Sequence, residues 1–304
     1  MKRTSDPDTV LRGLEWTVIR RLDGVLQGDY RTLFRGFGLE LAELREYQIG
    51  DDVRSIDWYV TARMQTPHVR LHVEDRDLTA WFLVDVSPSV DFGTAHALKR
   101  DLAIRFVGVL ARVLTRHGNK VGAIVFDGVD ARLVPAMNGR MQVLRLISVL
   151  MNQPRLAHAP ETNLEDLLDC ARMVIRRRSL VFLISDFIGV PGWDRGLGEL
   201  SRRHEVVAAW LSDPRESELP DIGTAVLEDA ETGGQLLVDT HDPGFHRRFA
   251  DAAVRRRQEL GRIFARTGTE VLALSTEGDL AQDLIRFVNR RRRRRGPSAA
   301  AAGG

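Results

Sequence analysis

A single cysteine, Cys170, is all the thiol chemistry that this 304-residue chain holds. One thiol excludes an intrachain disulfide and any thiolate metal cluster, and it fits a reducing compartment. Cys170 falls within LEDLLDCARMVI, whose spacing is helical, so it reads as a small core residue. Long apolar runs are missing as well. The longest, VVAAWL and AWFLVDV, are strand-sized and far short of the roughly 20 residues that span a bilayer. The N-terminal MKRTSDPDTVLRG has no apolar h-region, so no signal peptide is expected and the chain reads as soluble and cytoplasmic. No G-x-x-x-x-G-K-[ST] loop occurs, and no G-x-G-x-x-G turn follows the first buried strand. The chain therefore reads as neither a P-loop ATPase nor a dinucleotide-dependent enzyme.

Positive charge is scarcer than the total indicates. The formal net charge is +2, but six successive arginines, Arg290 to Arg295, stand just before an uncharged GPSAAAAGG end. Without those six the charge is −4, so the body is mildly acidic and offers no basic groove to follow a nucleic acid backbone. Residues 290–304 read as a disordered Arg-rich tail. Such a run supports salt-dependent attachment to phosphates or acidic lipid head groups, which is one alternative function. It lacks interleaved aromatics for base stacking, so no specific nucleic acid partner is expected.

From about residue 80 the sequence alternates continuous apolar runs with amphipathic stretches. AWFLVDV (80–86), VGAIVFD (121–127), SLVFLISDF (179–187), EVVAAWLSD (205–213) and TEVLALS (269–275) read as strands, most of them covered on both faces. VDARLVPAM reads as a neighbour joined through a tight turn at Asp127-Gly128. Helices are expected over 94–117, 141–153, the stretch opening at Thr162, 244–266 and 279–290. AVLEDAETGGQLLVD (225–239) reads as a hairpin turning at Gly233-Gly234. This alternation predicts an α/β fold with a doubly wound, mainly parallel sheet over 80–289. Residues 1–79 break the rhythm and read as an N-terminal helix/β extension packed on that domain.

The first strand ends in Asp85-Val-Ser87-Pro-Ser89. In an open α/β sheet, ligands sit beyond the carboxyl ends of the strands, which is where these side chains fall. Thr162 lies at a helix entry, and Asp186 ends the third buried strand. One edge of the sheet can collect all five. Carboxylates and hydroxyls make a hard, oxygen-only set suited to magnesium or manganese rather than zinc. Taken singly, the serines and Thr162 are equally read as helix caps.

DVSPSV, ETNLEDLL and LISDF, in that order, resemble the three ligand loops of the metal-ion-dependent adhesion site of the von Willebrand factor A fold. The resemblance implies that Ser87 and Ser89 bind the metal directly. It implies that Asp85, Thr162 and Asp186 bind directly or through water, and that an acidic side chain of a partner fills the last position. Glu161 departs from the pattern, standing where the family commonly has a small residue.

GFGLELAELREYQIGDDVRSIDWYVTAR (36–63) is the most distinctive segment. Its spacing is equally compatible with a salt-bridged surface loop and with a recognition surface. On the second reading the partner-binding candidates are Arg45, Tyr47, Asp51, Asp52, Arg54, Asp57, Trp58 and Arg63. ELREYQIGDDVRSIDWYVTAR is similar to the hallmark of the bacterial domain-of-unknown-function family number 58, over roughly residues 25–240. Members combine that hallmark with a von Willebrand-like region and are typically encoded beside MoxR-type AAA+ ATPases. The resemblance thus implies a non-catalytic adaptor or chaperone-like module that engages such an ATPase or its client.

Catalytic readings fit less well. An aspartyl phosphatase of Rossmann-like form, the metal-dependent hydrolase alternative, needs a second acid two residues after the nucleophile, and that position is Ser87. A serine hydrolase needs a G-x-S-x-G elbow, which DVSPS is not. His68 and His72 have a spacing that suits zinc on a helix, but HVRLHVEDRD alternates like a strand, so both read as exposed strand residues.

Overall fold

The computed structural model describes residues 6–26, 44–48, 51–53, 56–70, 78–94, 97–156 and 159–294. Helix α1 (Pro7–Leu14) runs through one π turn (Glu15–Ile19) into α2 (Arg20–Leu26). Strand β1 (Leu44–Glu46), helix α3 (Trp58–Met64) and strand β2 (His68–Arg70) follow. The α/β portion comprises β3 (Thr79–Asp85), α4 (Lys99–Arg116), β4 (Lys120–Phe126), β5 (Ala131–Met137), α5 (Arg140–Met151), α6 (Leu164–Val174), β6 (Leu180–Ser185), α7 (Asp194–Arg203) and β7 (Glu205–Ser212). It closes with β8 (Thr224–Glu228), β9 (Gln235–Asp239), α8 (Pro243–Thr267), β10 (Glu270–Ser275) and α9 (Leu280–Arg294).

Six strands form one sheet in the order β10-β7-β6-β3-β4-β5, parallel throughout except for β5, which turns back on β4. The chain starts at the centre with β3, builds outward to β5, then returns to the other side of β3 with β6. That reversal makes the gap between the carboxyl ends of β3 and β6 the topological switch point, the place where doubly wound sheets bind ligands. The expected fold class is therefore the observed one.

Alternation along the strands covers both faces. Phe82 and Val84, with Phe182, Ile184, Val207 and Leu272, face α4, α5 and α9. Trp81 and Leu83, with Val181, Leu183 and Ala208, face α6, α7 and α8. Period-two side chains that are apolar on both faces leave nothing to alternate with, so these strands read as unbroken apolar runs. The Phe82 and Phe182 rings stack at 5.5 Å, and Phe106 of α4 meets Phe182 edge-on at 5.7 Å.

The N-terminal helix packs on the α/β layer as expected. Leu11, Leu14, Ile19 and Leu22 are buried in the same core as α4 and α5, each worth about 1.5–3 kcal/mol of apolar burial. Glu15 pairs with Arg112, and Asp23 with Arg116, along α4. Strand β1 of the hallmark segment pairs antiparallel with β2 just beyond it, and Tyr47 N–H donates to Pro67 O at 2.8 Å. Asp57 caps α3 through Val60 N–H, and Asp51 accepts from Gln48 N–H at 2.8 Å. Trp58 is 70% exposed on α3, with exposed Arg63 and Asp52 nearby in sequence. Arg45 lies within β1, whereas Arg54 and His72 fall outside the described residues. His68 corrects the expectation of an exposed strand residue: it is buried, with Nδ1 at 2.8 Å from the Thr66 carbonyl.

Three further differences have physical causes. Helix α4 begins at Lys99 rather than 94, because Thr94 is held in a loop by Asp213, and Pro88–Asp91 forms a separate 3-10 turn. Helix α7 was not foreseen, since GWDRGLGELSRR carries three glycines and few apolar residues; Leu197 and Leu200 anchor it. The arginine run does not start a tail at 290. Helix α9 continues to Arg294, and Arg291 is buried against Glu205 and Glu270 at the amino ends of β7 and β10. The remainder of the run, Arg295 onward, lies outside the described residues. Among the described residues no helix is long and apolar enough to cross a membrane.

Asp213, after β7, is the cross-brace at the carboxyl edge. It accepts from Thr94 N–H and Oγ1–H, from Thr276 Oγ1–H after β10, and from Arg215 N–H. Burial pushes its carboxyl up, but those donors outweigh burial and hold it below the ordinary carboxylate value. A depressed folded value stabilises the fold above about pH 4, and that contribution is lost as pH falls through this value. Asp213→Asn should cost roughly 1–3 kcal/mol at neutral pH and flatten the acid limb of a Tm-versus-pH curve. Arg291→Ala should lower urea-denaturation stability by roughly 2–4 kcal/mol, where removal of a solvated tail residue would change nothing.

Candidate metal centre

Asp85 is fully buried at the end of β3, and both of its oxygens are engaged. Oδ1 accepts from Ser87 N–H at 3.0 Å and Oδ2 from Ser185 Oγ–H at 2.6 Å. The carboxylate therefore ties the ends of β3 and β6 across the switch point. Ser87 and Ser89 are buried too, with hydroxyl oxygens 3.1 Å apart. Ser87 stands at the N-cap position of the Pro88–Asp91 turn, yet its side chain makes no capping bond. The capping alternative therefore does not account for it.

At the end of β6, Asp186 is 1% exposed. Its Oδ1 accepts from Ile188 N–H at 2.9 Å, and its Oδ2 from the Lys99 ammonium at 2.6 Å. Lys99 is itself 1% exposed and reaches Glu216 at 2.5 Å. Burial alone would lower the Lys99 value, but Asp186 and Glu216 outweigh it and keep the ammonium charged above the ordinary lysine range. Phe187, next in the chain, has φ of 59°, a region disfavoured for a bulky residue and worth about 1–3 kcal/mol of strain. Ser185 Oγ, accepting from Phe187 N–H at 2.8 Å, and ring packing on Trp193 and Phe264 hold that bend. It turns the chain away from the site immediately after Asp186.

Thr162 arrives from the loop before α6 and is fully buried. Asn163 is the helix cap, accepting from Glu165 N–H, so the Thr162 hydroxyl is free of that duty. Two glycines border it. Gly128 is required by its φ of 97° rather than by space, since a Cβ there would make ordinary contacts with Thr162 Oγ1 at 3.4 Å and Ser87 Cβ at 3.7 Å, which places the two hydroxyl residues at the same corner. A Cβ on Gly189 would lie 2.1 Å from Thr162 O, a distance no side chain tolerates, and Val190 N–H donates to that same oxygen at 2.9 Å.

Sequence reasoning missed Lys99, Ser185, Glu216 and Glu231. Glu231, from the turn between β8 and β9, is 4% exposed and clamps Thr162: Oε2 accepts from the amide N–H at 2.8 Å and Oε1 from the hydroxyl at 2.6 Å. A lysine in the first turn of α4 opposes the helix dipole, and that is the one signal that marks Lys99 in the sequence. Nothing in EDAETGG distinguishes Glu231 from an ordinary turn acid.

The buried set thus carries the carboxylates of Asp85, Asp186 and Glu231 against the single ammonium of Lys99. Burial, and then the charge of Asp186, push the Asp85 carboxyl up to about 6. This excess of buried negative charge, with hydroxyls as the other donors, fits a hard divalent cation. Among the described residues no three His, Cys, Asp or Glu side chains group as a metal would require. A cation here would depend on Ser87, Ser89 and Thr162 together with the aspartates. Because Lys99 holds one oxygen of Asp186, contact through water suits that residue better than direct ligation. Beside the cluster lies a cavity of about 440 Å³, lined by Ser89, Lys99 and Glu216 and by the apolar Phe92, Leu227 and Phe249.

A doubly wound α/β domain with a buried carboxylate–hydroxyl cluster at its switch point is the class that fold and site define. The chain belongs to the family described as "Protein of unknown function DUF58", whose model matches residues 43–259, somewhat C-terminal to the span expected from the hallmark. It is 42% identical to the uncharacterized protein Rv1480 of Mycobacterium tuberculosis over 281 residues, covering 92% of this chain and 88% of that protein. Among solved structures it is similar to the conserved hypothetical protein BatB from Bacteroides thetaiotaomicron, with 14% identity, a TM-score of 0.44, and coverage of 71% of this chain and 99% of that one. It is also similar to the SpRpn10 VWA domain, with 11% identity, a TM-score of 0.37, and coverage of 68% and 93%.

Removing the ammonium while keeping the stem isolates its electrostatic role. Lys99→Met should destabilise the chain by roughly 3–5 kcal/mol in EDTA, since Asp186 is left buried without its cation. Chemical denaturation with and without magnesium reads this directly. A loss equally large at saturating magnesium would show that no divalent ion substitutes for the ammonium.

Proposed function

We propose that this chain is a non-catalytic, metal-dependent protein-interaction module, and that its partner is a MoxR-type AAA+ ATPase or that ATPase's client. The observation that carries the reading is the burial of Asp85, Ser87, Ser89, Thr162 and Asp186 around one corner of the sheet edge, with carboxylates in excess of cations. Magnesium or manganese held there would present an electrophilic coordination position to an acidic side chain of the partner. The choice of ATPase rests on the family resemblance of the hallmark segment. Exposed Trp58 on α3 makes that segment a candidate second contact, because aromatics supply much of the energy of protein interfaces.

Hydrolysis is the weaker reading. The nearest hydroxyl partner of Ser87 is Ser89, which is too weak a base to activate a nucleophile. Asp85 spends both oxygens bracing β3 to β6, and position 87 offers no second acid.

Capture of a MoxR-type ATPase should require magnesium and fall at least tenfold in EDTA. Ser87→Ala, which removes the buried hydroxyl but keeps the Ser87 N–H that Asp85 accepts, should reproduce that loss at a stability cost of only about 1–2 kcal/mol, read from a circular dichroism melt in EDTA. Capture that persists undiminished in EDTA and in Ser87→Ala would rule out the metal bridge.

A further inference from the structure

The Glu231–Thr162 contact has the form of a ligand in a receptor. A carboxylate enters from outside the α/β layer, is 96% shielded from solvent by the site, and is held by two donors of one residue. Among the described residues Glu231 makes no ion pair, so its charge is balanced by nothing but those hydrogen bonds. Its presentation is prearranged: Asp229 Oδ1 accepts from Glu231 N–H at 2.8 Å and from Thr232 N–H at 3.0 Å, fixing the turn that carries it. Ala159 N–H then donates to Glu231 O at 3.0 Å.

The hairpin itself is a loose carrier. Strands β8 and β9 form their own two-stranded ribbon and do not join the main sheet. Val226, Leu236 and Leu237 are exposed at 56%, 60% and 69%, and Val238 is the one buried apolar residue of the two strands. Its grip on the body is thus limited to the turn and to Val238 near its base. Beneath its inner side the cavity of about 440 Å³ gives room for neighbouring apolar side chains of an incoming segment, against Phe92, Leu219 and Phe249.

We propose that Thr162 N–H and Oγ1–H form a carboxylate-binding subsite, that its ligand is a glutamate or aspartate side chain of an acidic peptide segment, and that Glu231 is an internal occupant which such a segment must displace. The idea rests on the interaction-module reading given above, and adds to it that the hairpin competes with the partner. A displaced hairpin would also uncover the cavity beside Ser89 and Lys99, so capture and opening are one event. The occupied subsite lowers apparent affinity by the fraction of molecules in which the hairpin is closed.

The test uses the full chain, its Glu231→Ala and Glu231→Gln variants, and a fluorescent synthetic peptide of residues 224–239 as the probe. Manganese binding, amide exchange in the hairpin and peptide anisotropy are measured together. The expected result is that Glu231→Ala loses amide protection over 224–239 and binds the added peptide at least tenfold more tightly than the unaltered chain. The same peptide carrying Glu231→Ala should not bind, and Glu231→Gln should fall between. Hairpin protection that drops with no gain in peptide binding overturns the proposal, as does a tenfold loss of manganese affinity, which would make Glu231 a fixed member of the metal site. If Glu231→Ala captures the peptide but no protein binds manganese, the subsite stands and the metal reading fails. If manganese binds and the peptide does not, the reverse holds.

Discussion

Buried negative charge at the junction of β3 and β6 is the constraint on which the rest depends. Asp85 lies at the centre of the sheet with no solvent contact, and an uncompensated carboxylate there is expensive. The surrounding structure answers with donors: Ser87 N–H, Ser185 Oγ–H and, through Asp186, the Lys99 ammonium. Those same donors tie the two central strands together at the switch point and fix the loops that carry Ser87, Ser89 and Asp186. Local strain at Phe187 and the close backbone approach at Gly189 follow from packing three loops into that corner.

Lys99 and Glu231 set the charge state of the corner from opposite directions. The lysine neutralises Asp186 from inside the α/β layer, while the glutamate adds charge from the hairpin outside it. Neither is a hydroxyl ligand of the expected set, yet both touch members of that set. Their arrangement turns a pattern of five oxygen donors into a balance among a resident ammonium, an internal carboxylate and the divalent cation proposed to bind there. A second brace, Asp213, anchors the start of the segment leading to the hairpin, and so links the position of Glu216, hence Lys99, to the outer strands β7 and β10.

The strands were legible because burial on both faces leaves an apolar run that no helix of equal length imitates; β3, β4, β6 and β7 begin and end within a residue or two of expectation. The ligand loops were legible because D-x-S-x-S, a threonine at a helix entry and a strand-terminal aspartate each lie beside an element that the sequence marks clearly. Helix α7 was not, since two leucines among glycines and charges make only a narrow apolar stripe on a mostly polar segment. The arginines at 290–294 misled for a different reason. A run of like charges reads as solvated until something pairs with it, and Arg291 pairs with glutamates on two strands that are not adjacent in sequence.

By itself the sequence determined the doubly wound sheet, the order of its strands along the chain and the oxygen donors at its carboxyl edge, because each depends on neighbours a few residues away. Only the tertiary structure decided which charges meet there. Lys99 reaches Asp186 across 87 residues and Glu231 reaches Thr162 across 69. A hydrogen bond acts over about 3 Å, so no local pattern of residues records which distant partner will complete it.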